Sequence, residues 1–193
     1  MTTCLLYFDG FSDLQVVVAA GRLAGAGRFI PIAPEDRPYR SESHQVYLPA
    51  ATLAQMPPDE VNVLLIPGGD LTPLLDDPVL LRLVKRVCVR ERIVAAIGGG
   101  VALLGRSGVL SGRRFTCNAR DSEPDRDTLE RYYANAVYTG AEVEVDGSII
   151  TAQGQAFIEF GIEVAARAGC FPTPAERERA CRWLKNRPPE TSA

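Results

Sequence analysis

The sequence predicts an α/β fold with a doubly wound, mostly parallel sheet and helices on both faces. Short apolar runs at residues 4–8, 61–66 (interrupted by Asn62) and 93–97 are typical of buried strands, and helical patterns fall between them. Strands that alternate with helices imply a parallel sheet covered on both sides. The 193 residues contain no repeat or linker, so we expect one domain over residues 1–187 and a disordered tail over residues 188–193.

Five elements are expected in the first half, in this order: a strand at residues 4–8, a helix from residue 12 or 13 to 24, a strand at 29–32, a short strand around 46–48 and a strand at 61–66. Ser12 or Asp13 caps the helix, and the glycines from Gly25 onward end it. The apolar positions of this helix are Leu14, Val17, Val18 and Leu23. Residues 35–60 are the least regular stretch, because prolines and scattered polar residues interrupt it.

Six elements are expected after them: a helix at residues 76–90, a strand at 93–97, a helix at 101–106, a small β-hairpin near 143–150, a helix at 157–168 and a last amphipathic helix after Thr173. Pro78 is tolerated in the first turn of its helix. The hairpin is predicted around the Asp-Gly turn at residues 146–147. The last helix carries Ala180, Trp183 and Leu184.

Composition excludes several classes of function. The formal net charge is -3, and no basic stripe provides an electrostatic footprint for nucleic acid. Cations do cluster at residues 85–92, but acidic residues flank them, which favours a solvated helix face. No run of about 18 apolar residues predicts a membrane span. The single histidine, His44, excludes a multi-histidine metal site and is expected in a surface loop, so neither metal nor cofactor is predicted.

The five cysteines are odd in number, far apart and without CxxC spacing. The N-terminus enters an apolar strand pattern directly, without the basic region and cleavage site of a signal peptide. These two features together predict a reducing, cytoplasmic location.

Three glycine-containing turns follow predicted strands: Asp9-Gly10, Pro67-Gly68-Gly69-Asp70 and Gly98-Gly99-Gly100. Ligands of open α/β sheets bind at the carboxyl ends of the strands, beside a topological switch point. Strand, sharp turn and helix around Gly98 form the layout of a nucleophile elbow, where a nucleophile sits in strained backbone and the adjacent helix N-terminus can lower the pKa of a thiol. The amides of Gly69 and Gly99 are expected to face the same space, where they would bind an oxyanion.

Residues 95–104, A-A-I-G-G-G-V-A-L-L, resemble the elbow of the ThiJ/PfpI superfamily, which is usually written A-I-C-x-G. Further stretches are similar to that superfamily, in order along the chain: residues 5–14, 65–69, 107–116 and 146–152. The matches run from about residue 4 to residue 168 and jointly form a specific signal. The resemblance implies a flavodoxin-like, glutamine amidotransferase-like fold and a homodimer.

Carried over position by position, the resemblance places the cysteine nucleophile at Gly98, its acidic partner at Gln15 and a histidine at Asn118. Glycine supplies no nucleophile, glutamine cannot hold or take a proton as a carboxylate does, and asparagine does not titrate. Glycine also removes the strain that a side chain suffers at an elbow. Thiol chemistry of the family type is therefore not expected.

Four other polar side chains have two interpretations each. Cys117 is either a relocated nucleophile or, as we favour, a buried structural cysteine. Asp70 is either a carboxylate at the pocket mouth or, as we favour, a turn residue. Gln153 and Gln155 either line the pocket or cap the helix that follows them.

Two weaker candidates lie nearby. The triple glycine at residues 98–100 could cradle a phosphate through its amides, but it lacks the lysine and hydroxyl of a P-loop, which disfavours a nucleotide. Asp121 and Glu123 follow in a polar stretch and either reach the pocket or, as we favour, belong to a solvated loop.

Two hypotheses about function follow. The favoured one is a superfamily member without catalysis that binds a small polar or anionic metabolite at a vacant elbow pocket, or acts through its dimer surface. The alternative is an enzyme on reactive carbonyls, or a hydratase or amidase, that uses Cys117, Asp70 or a bound water. The expected ligand-binding residues are Asp9, Gln15, Gly68, Gly69, Asp70, Gly98, Gly99, Gly100, Cys117, Asn118 and Gln153.

Overall fold

The structure is a computed structural model and describes residues 1–118 and 131–187. Asp121, Glu123 and the tail from residue 188 lie outside the described residues. The strands, in chain order, are β1 (Thr2–Leu6), β2 (Arg28–Ala33), β3 (Tyr39–Arg40), β4 (Val46–Tyr47), β5 (Ala51–Thr52), β6 (Val63–Ile66), β7 (Ile93–Ile97), β8 (Arg114–Phe115), β9 (Val137–Tyr138), β10 (Val143–Asp146) and β11 (Ile149–Ala152). The helices are α1 (Asp13–Leu23), α2 (Pro78–Val89), α3 (Val101–Arg106), α4 (Phe157–Arg167) and α5 (Pro174–Leu184).

The central sheet has seven strands in the order β10-β11-β7-β6-β1-β2-β5. All its neighbouring pairs are parallel except β10 with β11. From β1 the chain moves to β2 on one side and later to β6 on the other, so the topological switch point lies between β1 and β6. Right-handed crossovers in opposite directions place helices on opposite faces. The predicted doubly wound, flavodoxin-like α/β fold is confirmed.

The core is formed by the central strands and the helices that cover them. Every residue of β1 and β6 is buried, as the continuous apolar runs predict. α2 directs Leu80, Leu83, Val84 and Val87 into the core. α1 packs closely on α4, and a Cβ at Gly161 of α4 would lie 2.5 Å from Val18. Glycine therefore sets the distance between these two helices.

The helix caps agree with the sequence signals in two of three cases. Asp77 accepts hydrogen bonds from the amides of Val79 and Leu80, at 2.8 and 2.9 Å. Thr173 Oγ1 accepts one from the amide of Glu176 at 3.2 Å. Ser12 stands at the N-cap of α1, but its side chain makes no capping bond to the helix.

The bounds of β1, the place of the hairpin and the buried face of α1 differ from the predictions. β1 lies two residues earlier than expected, because the chain turns away after Tyr7, whose amide still donates to Ile32 at 2.8 Å. The hairpin is part of the main sheet, since β11 pairs with β7. α1 buries Val16, Ala19 and Leu23, whereas two of its expected apolar positions, Leu14 and Val17, face solvent.

Two small sheets lie beside the central one: β3 pairs with β4, and β8 pairs with β9. The β8–β9 sheet was not predicted, because two-residue strands give no periodic signal. In residues 1–118 and 131–187, no helix is long and apolar enough to cross a membrane. All five cysteines of the chain are unpaired thiols.

Candidate functional site

The candidate site lies where the carboxyl ends of three neighbouring strands meet the start of α1. Gly68 follows β6, Gly98 follows β7 and Gly154 follows β11. Gln15 stands in the first turn of α1, and its side chain reaches all three glycines. Its Oε1 accepts a hydrogen bond from the amide of Gly68 at 3.0 Å. The switch point therefore positions the Gln15 carboxamide over the elbow.

Gly98 has the backbone geometry expected of an elbow. Its φ is +59°, a left-handed backbone conformation that residues with a side chain rarely adopt. A Cβ at Gly98 would lie 2.9 Å from Oε1 of Gln15 and 3.2 Å from its Nε2. The space over Gly98 is therefore not vacant as the sequence suggested, because the carboxamide of Gln15 occupies it.

The two glycine turns touch each other through their backbones. A Cβ at Gly99 would lie 2.5 Å from the carbonyl oxygen of Gly69, and one at Gly69, whose φ is +121°, would lie 2.5 Å from that of Gly10. Gly100 is equally close-packed, since a Cβ there would lie 2.8 Å from the carbonyl oxygen of Ile66. These positions require glycine, and the predicted convergence of the three turns is observed.

The solvent side of this contact is open. Gly99 is exposed and Gly69 is half-buried. The amide of Gly69 donates to no acceptor within the described part of the chain. The Gly69 amide is therefore a candidate hydrogen-bond donor to a ligand oxygen.

Asn118 joins the same cluster from the end of β8. Its Oδ1 accepts a hydrogen bond from the amide of Gly154, and a Cβ at Gly154 would lie 3.2 Å from both polar atoms of the Asn118 carboxamide. Sequence reasoning missed Gly154, although it follows a strand and precedes a helix as Gly98 does. Of the three positions that the resemblance marked, Gln15 thus contacts Gly98 directly, and Asn118 and Gln15 meet at Gly154.

The carboxylate of Asp9 is engaged outside the elbow. Its Oδ2 pairs with Nη2 of Arg37 at 2.8 Å, and its Oδ1 accepts from the amide of Arg40 at 3.1 Å. These two bonds hold the pKa of Asp9 below its ordinary value, the Arg37 bond having the larger effect. Asp9 therefore anchors the loop before β3.

Asp70 and Gln153 also have partners of their own. Asp70 is exposed and accepts from the amide of Thr72 at 3.0 Å, the turn role that the sequence favoured. Hydrogen bonds from the side chain and backbone of Thr72 lower the pKa of Asp70. Nε2 of Gln153 donates to the carbonyl of Gly140 at 2.9 Å, and Gln155 donates to Gln153. Their predicted ligand-binding roles stay predictions.

Cys117 lies inside the core. Burial raises the pKa of its thiol to about 11, and a hydrogen bond with Tyr133 lowers it only in part. The ring of Tyr133 stacks on that of Phe115 with centroids 4.5 Å apart. A thiol that stays protonated at neutral pH is a poor nucleophile, which agrees with the structural interpretation.

A polar network not found from the sequence holds the start of α1. Asp13 Oδ2 accepts from Ser41 Oγ at 2.9 Å, from Tyr47 Oη at 3.0 Å and from Ser43 Oγ. Burial raises the pKa of Asp13, but the hydroxyls of Ser43, Ser41 and Tyr47 outweigh it and leave the pKa below its usual value. The network ties the β3–β4 hairpin to α1 two residues before Gln15.

The loop between β3 and β4 also contains His44, which is exposed with φ +64°, as a surface position predicts. Within the described residues, no cluster of histidine, cysteine, aspartate or glutamate side chains is suited to hold a metal ion.

Comparisons with known proteins agree with the resemblance. The profile of the DJ-1/PfpI family matches residues 1–167. A protein of Thermococcus kodakarensis named as a deglycase is 28% identical over 156 residues, which cover 79% of this chain and 90% of that protein. A DJ-1 superfamily protein from Agrobacterium tumefaciens superposes with a TM-score of 0.80 at 26% identity, covering 97% of this chain and 100% of its own. A cysteine-to-alanine mutant of a DJ-1 superfamily protein from Salmonella typhimurium gives a TM-score of 0.80 at 21% identity, covering 97% and 98%.

Proposed function

This chain belongs to the DJ-1/PfpI family, and from that premise we propose that it binds a small polar or anionic metabolite at the elbow without cysteine catalysis of the family type. One observation carries the proposal: a neutral carboxamide, that of Gln15, fills the space over Gly98 and accepts the Gly68 amide at 3.0 Å. Neither glycine nor glutamine attacks a carbonyl or accepts a proton at neutral pH.

The polar groups around the elbow favour the binding of a ligand over catalysis. Gln15 and Asn118 offer neutral hydrogen-bond donors and acceptors, and the Gly69 amide has no acceptor within the described part of the chain. Because Gln15 fills the inner end of the site, the ligand would lie on the outer side, against Gly69 and Gly99. Backbone amides that face a bound oxygen favour an oxyanion such as a carboxylate.

The second candidate function is an enzyme on reactive carbonyls, and the relative named as a deglycase favours it. A hydratase or amidase belongs to the same alternative. Such an enzyme would need Cys117, Asp70 or a bound water. Burial of Cys117 and the turn bond of Asp70 weigh against the first two.

We also propose that the protein acts as a homodimer. Leu14 and Val17 of α1 are each 55% exposed, and the β3–β4 hairpin adds exposed Val46 and Leu48. The hydrogen bond from Tyr47 to Asp13, 3.0 Å, brings the hairpin to the start of α1, so exposed apolar side chains of the two elements lie in the same region of the surface. The unpaired state of all five cysteines supports a cytoplasmic location.

The test combines turnover with binding. Purified protein is incubated with methylglyoxal and with a model isocyanide, and consumption is followed by NMR beside Cys117→Ala and a control, Cys181→Ala. We expect no turnover in any sample. Acetate, titrated into labelled protein, should shift the amide signals of Gly69 and Gly99. Turnover that survives Cys181→Ala but not Cys117→Ala would establish the enzyme hypothesis, and turnover in all samples would also refute the proposal.

A further inference from the structure

A groove of about 390 Å³ lies between α1 and α5, and none of its lining residues belongs to the elbow. It is lined by Arg22 of α1, by Phe171 in the loop before α5, and by Glu176, Arg179 and Trp183 of α5. Apart from Arg22, these residues lie beyond residue 167, where the match to the family profile ends. The match to the family profile therefore says nothing about these side chains.

The side chains of the groove combine aromatic surface with cations that have no carboxylate partner. Trp183 is 76% exposed, and the guanidinium of Arg22 lies over the ring of Phe171, 5.8 Å from its centroid. Neither Arg22 nor Arg179 forms an ion pair with any residue in the described ranges. Elsewhere on the same helix, by contrast, Arg182 pairs with Glu178 at 2.7 Å. The two arginines of the groove are therefore free to bind an anion.

One carboxylate opposes them, since Glu176 also lines the groove. Two arginines against one glutamate leave one net positive charge there, although the whole chain has a formal net charge of -3. A planar guanidinium binds a carboxylate through paired N–H donors, and an exposed indole stacks on an aromatic ring. The volume is that of a small-molecule site.

We propose that this groove is a second binding site, for a small aromatic carboxylate. The ring stacks on exposed Trp183, and the carboxylate lies between the guanidinium groups of Arg179 and of Arg22, which itself packs on Phe171. Glu176 repels the carboxylate, so affinity is limited by this one side chain. The site is independent of the elbow and of whether the elbow binds anything.

Trp183 is the only tryptophan of the chain, so its fluorescence reports on this groove alone. The full chain is titrated with 3-phenylpropionate, with its neutral analogue 3-phenylpropan-1-ol, and with acetate, which has no ring. We expect saturable quenching by 3-phenylpropionate with Kd on the order of a millimolar, and binding about tenfold weaker for the alcohol. Acetate should leave the fluorescence unchanged.

Variants that remove a positive or a negative charge from the groove should change the Kd for 3-phenylpropionate in opposite directions. Arg22→Gln and Arg179→Gln should each raise Kd about threefold to fivefold, and Glu176→Gln should lower it about twofold. Arg82→Gln, an equal charge change on α2, is the matched control and should leave Kd unchanged. The proposal is overturned if quenching is absent, if the alcohol binds as tightly as 3-phenylpropionate, or if Arg82→Gln weakens binding as much as Arg22→Gln.

Discussion

Replacing Gly98 by alanine should destabilise the protein through two separable effects. The first is backbone strain, because φ is +59° at this position. The second is a collision, because the new Cβ would lie 2.9 Å from Oε1 of Gln15. Gln15 is long enough to move away, but only by giving up the hydrogen bond from the Gly68 amide.

The cost can be estimated from these two contributions. A left-handed backbone costs a residue with a Cβ about 1 kcal/mol relative to glycine. A lost hydrogen bond to a partly buried amide costs about 1 kcal/mol more. Gly98→Ala should therefore lower the free energy of unfolding by about 2 kcal/mol, which corresponds to a decrease in Tm of roughly 4–8 °C for a chain of this length.

Urea unfolding of four variants separates the contributions. Gly108 has φ +78° and nothing within 4 Å of an added Cβ, so Gly108→Ala measures the backbone cost alone, about 1 kcal/mol. Gln15→Ala removes the collision, so Gly98→Ala should cost only about 1 kcal/mol in that background, a coupling of about 1 kcal/mol. If Gly98→Ala costs no more than Gly108→Ala, or if it adds to Gln15→Ala without coupling, the packing of Gln15 on the elbow is refuted.

Three further predictions concern chemistry, pH and assembly. Gly98→Cys alone should consume no methylglyoxal, since Gln15 cannot accept a thiol proton; robust turnover would contradict this account of Gln15. Burial raises the pKa of Cys117 to about 11, so its contribution to stability is complete below the ordinary thiol pKa and is lost as pH rises toward 11. Cys117→Ala should flatten this alkaline loss in urea titrations, and an unchanged slope would exclude Cys117 as its source. Leu14→Glu should give a monomer in sedimentation, whereas Val89→Glu, on an equally open face of α2, should not; a monomeric parent protein would refute the dimer.

The fold could be predicted because burial on both faces gives a strong signal. β6 and β7 are apolar throughout, and the structure buries all their residues except Ile93, which is half-buried. Which face of α1 is buried could not be predicted in the same way. Val16 and Val17 are the same residue type at neighbouring positions, but the structure buries the first and leaves the second 55% exposed, which depends on how α1 lies on the rest of the fold.

The location of the candidate site was also predictable, because glycines after consecutive strands mark the carboxyl edge of a parallel sheet. What occupies the elbow was not. The sequence places Gln15 early in α1, yet the reach of its side chain to Gly68, Gly98 and Gly154 depends on where α1 starts relative to β6, β7 and β11. The hydroxyls that hold Asp13 come from the β3–β4 hairpin, of which the sequence predicted only the strand around residues 46–48; β3 has two residues and gives no periodic signal.

Gly98 and Gln15 are best understood as one structural unit. A side chain at position 98 would need the space that the Gln15 carboxamide fills, and the carboxamide keeps its bond to Gly68 only while position 98 has no Cβ. A side chain introduced at position 98 alone would collide with Gln15. Shortening Gln15 alone would leave a gap over Gly98. The present pair keeps the turn packed, and beside it Gly99 is exposed and Gly69 is half-buried.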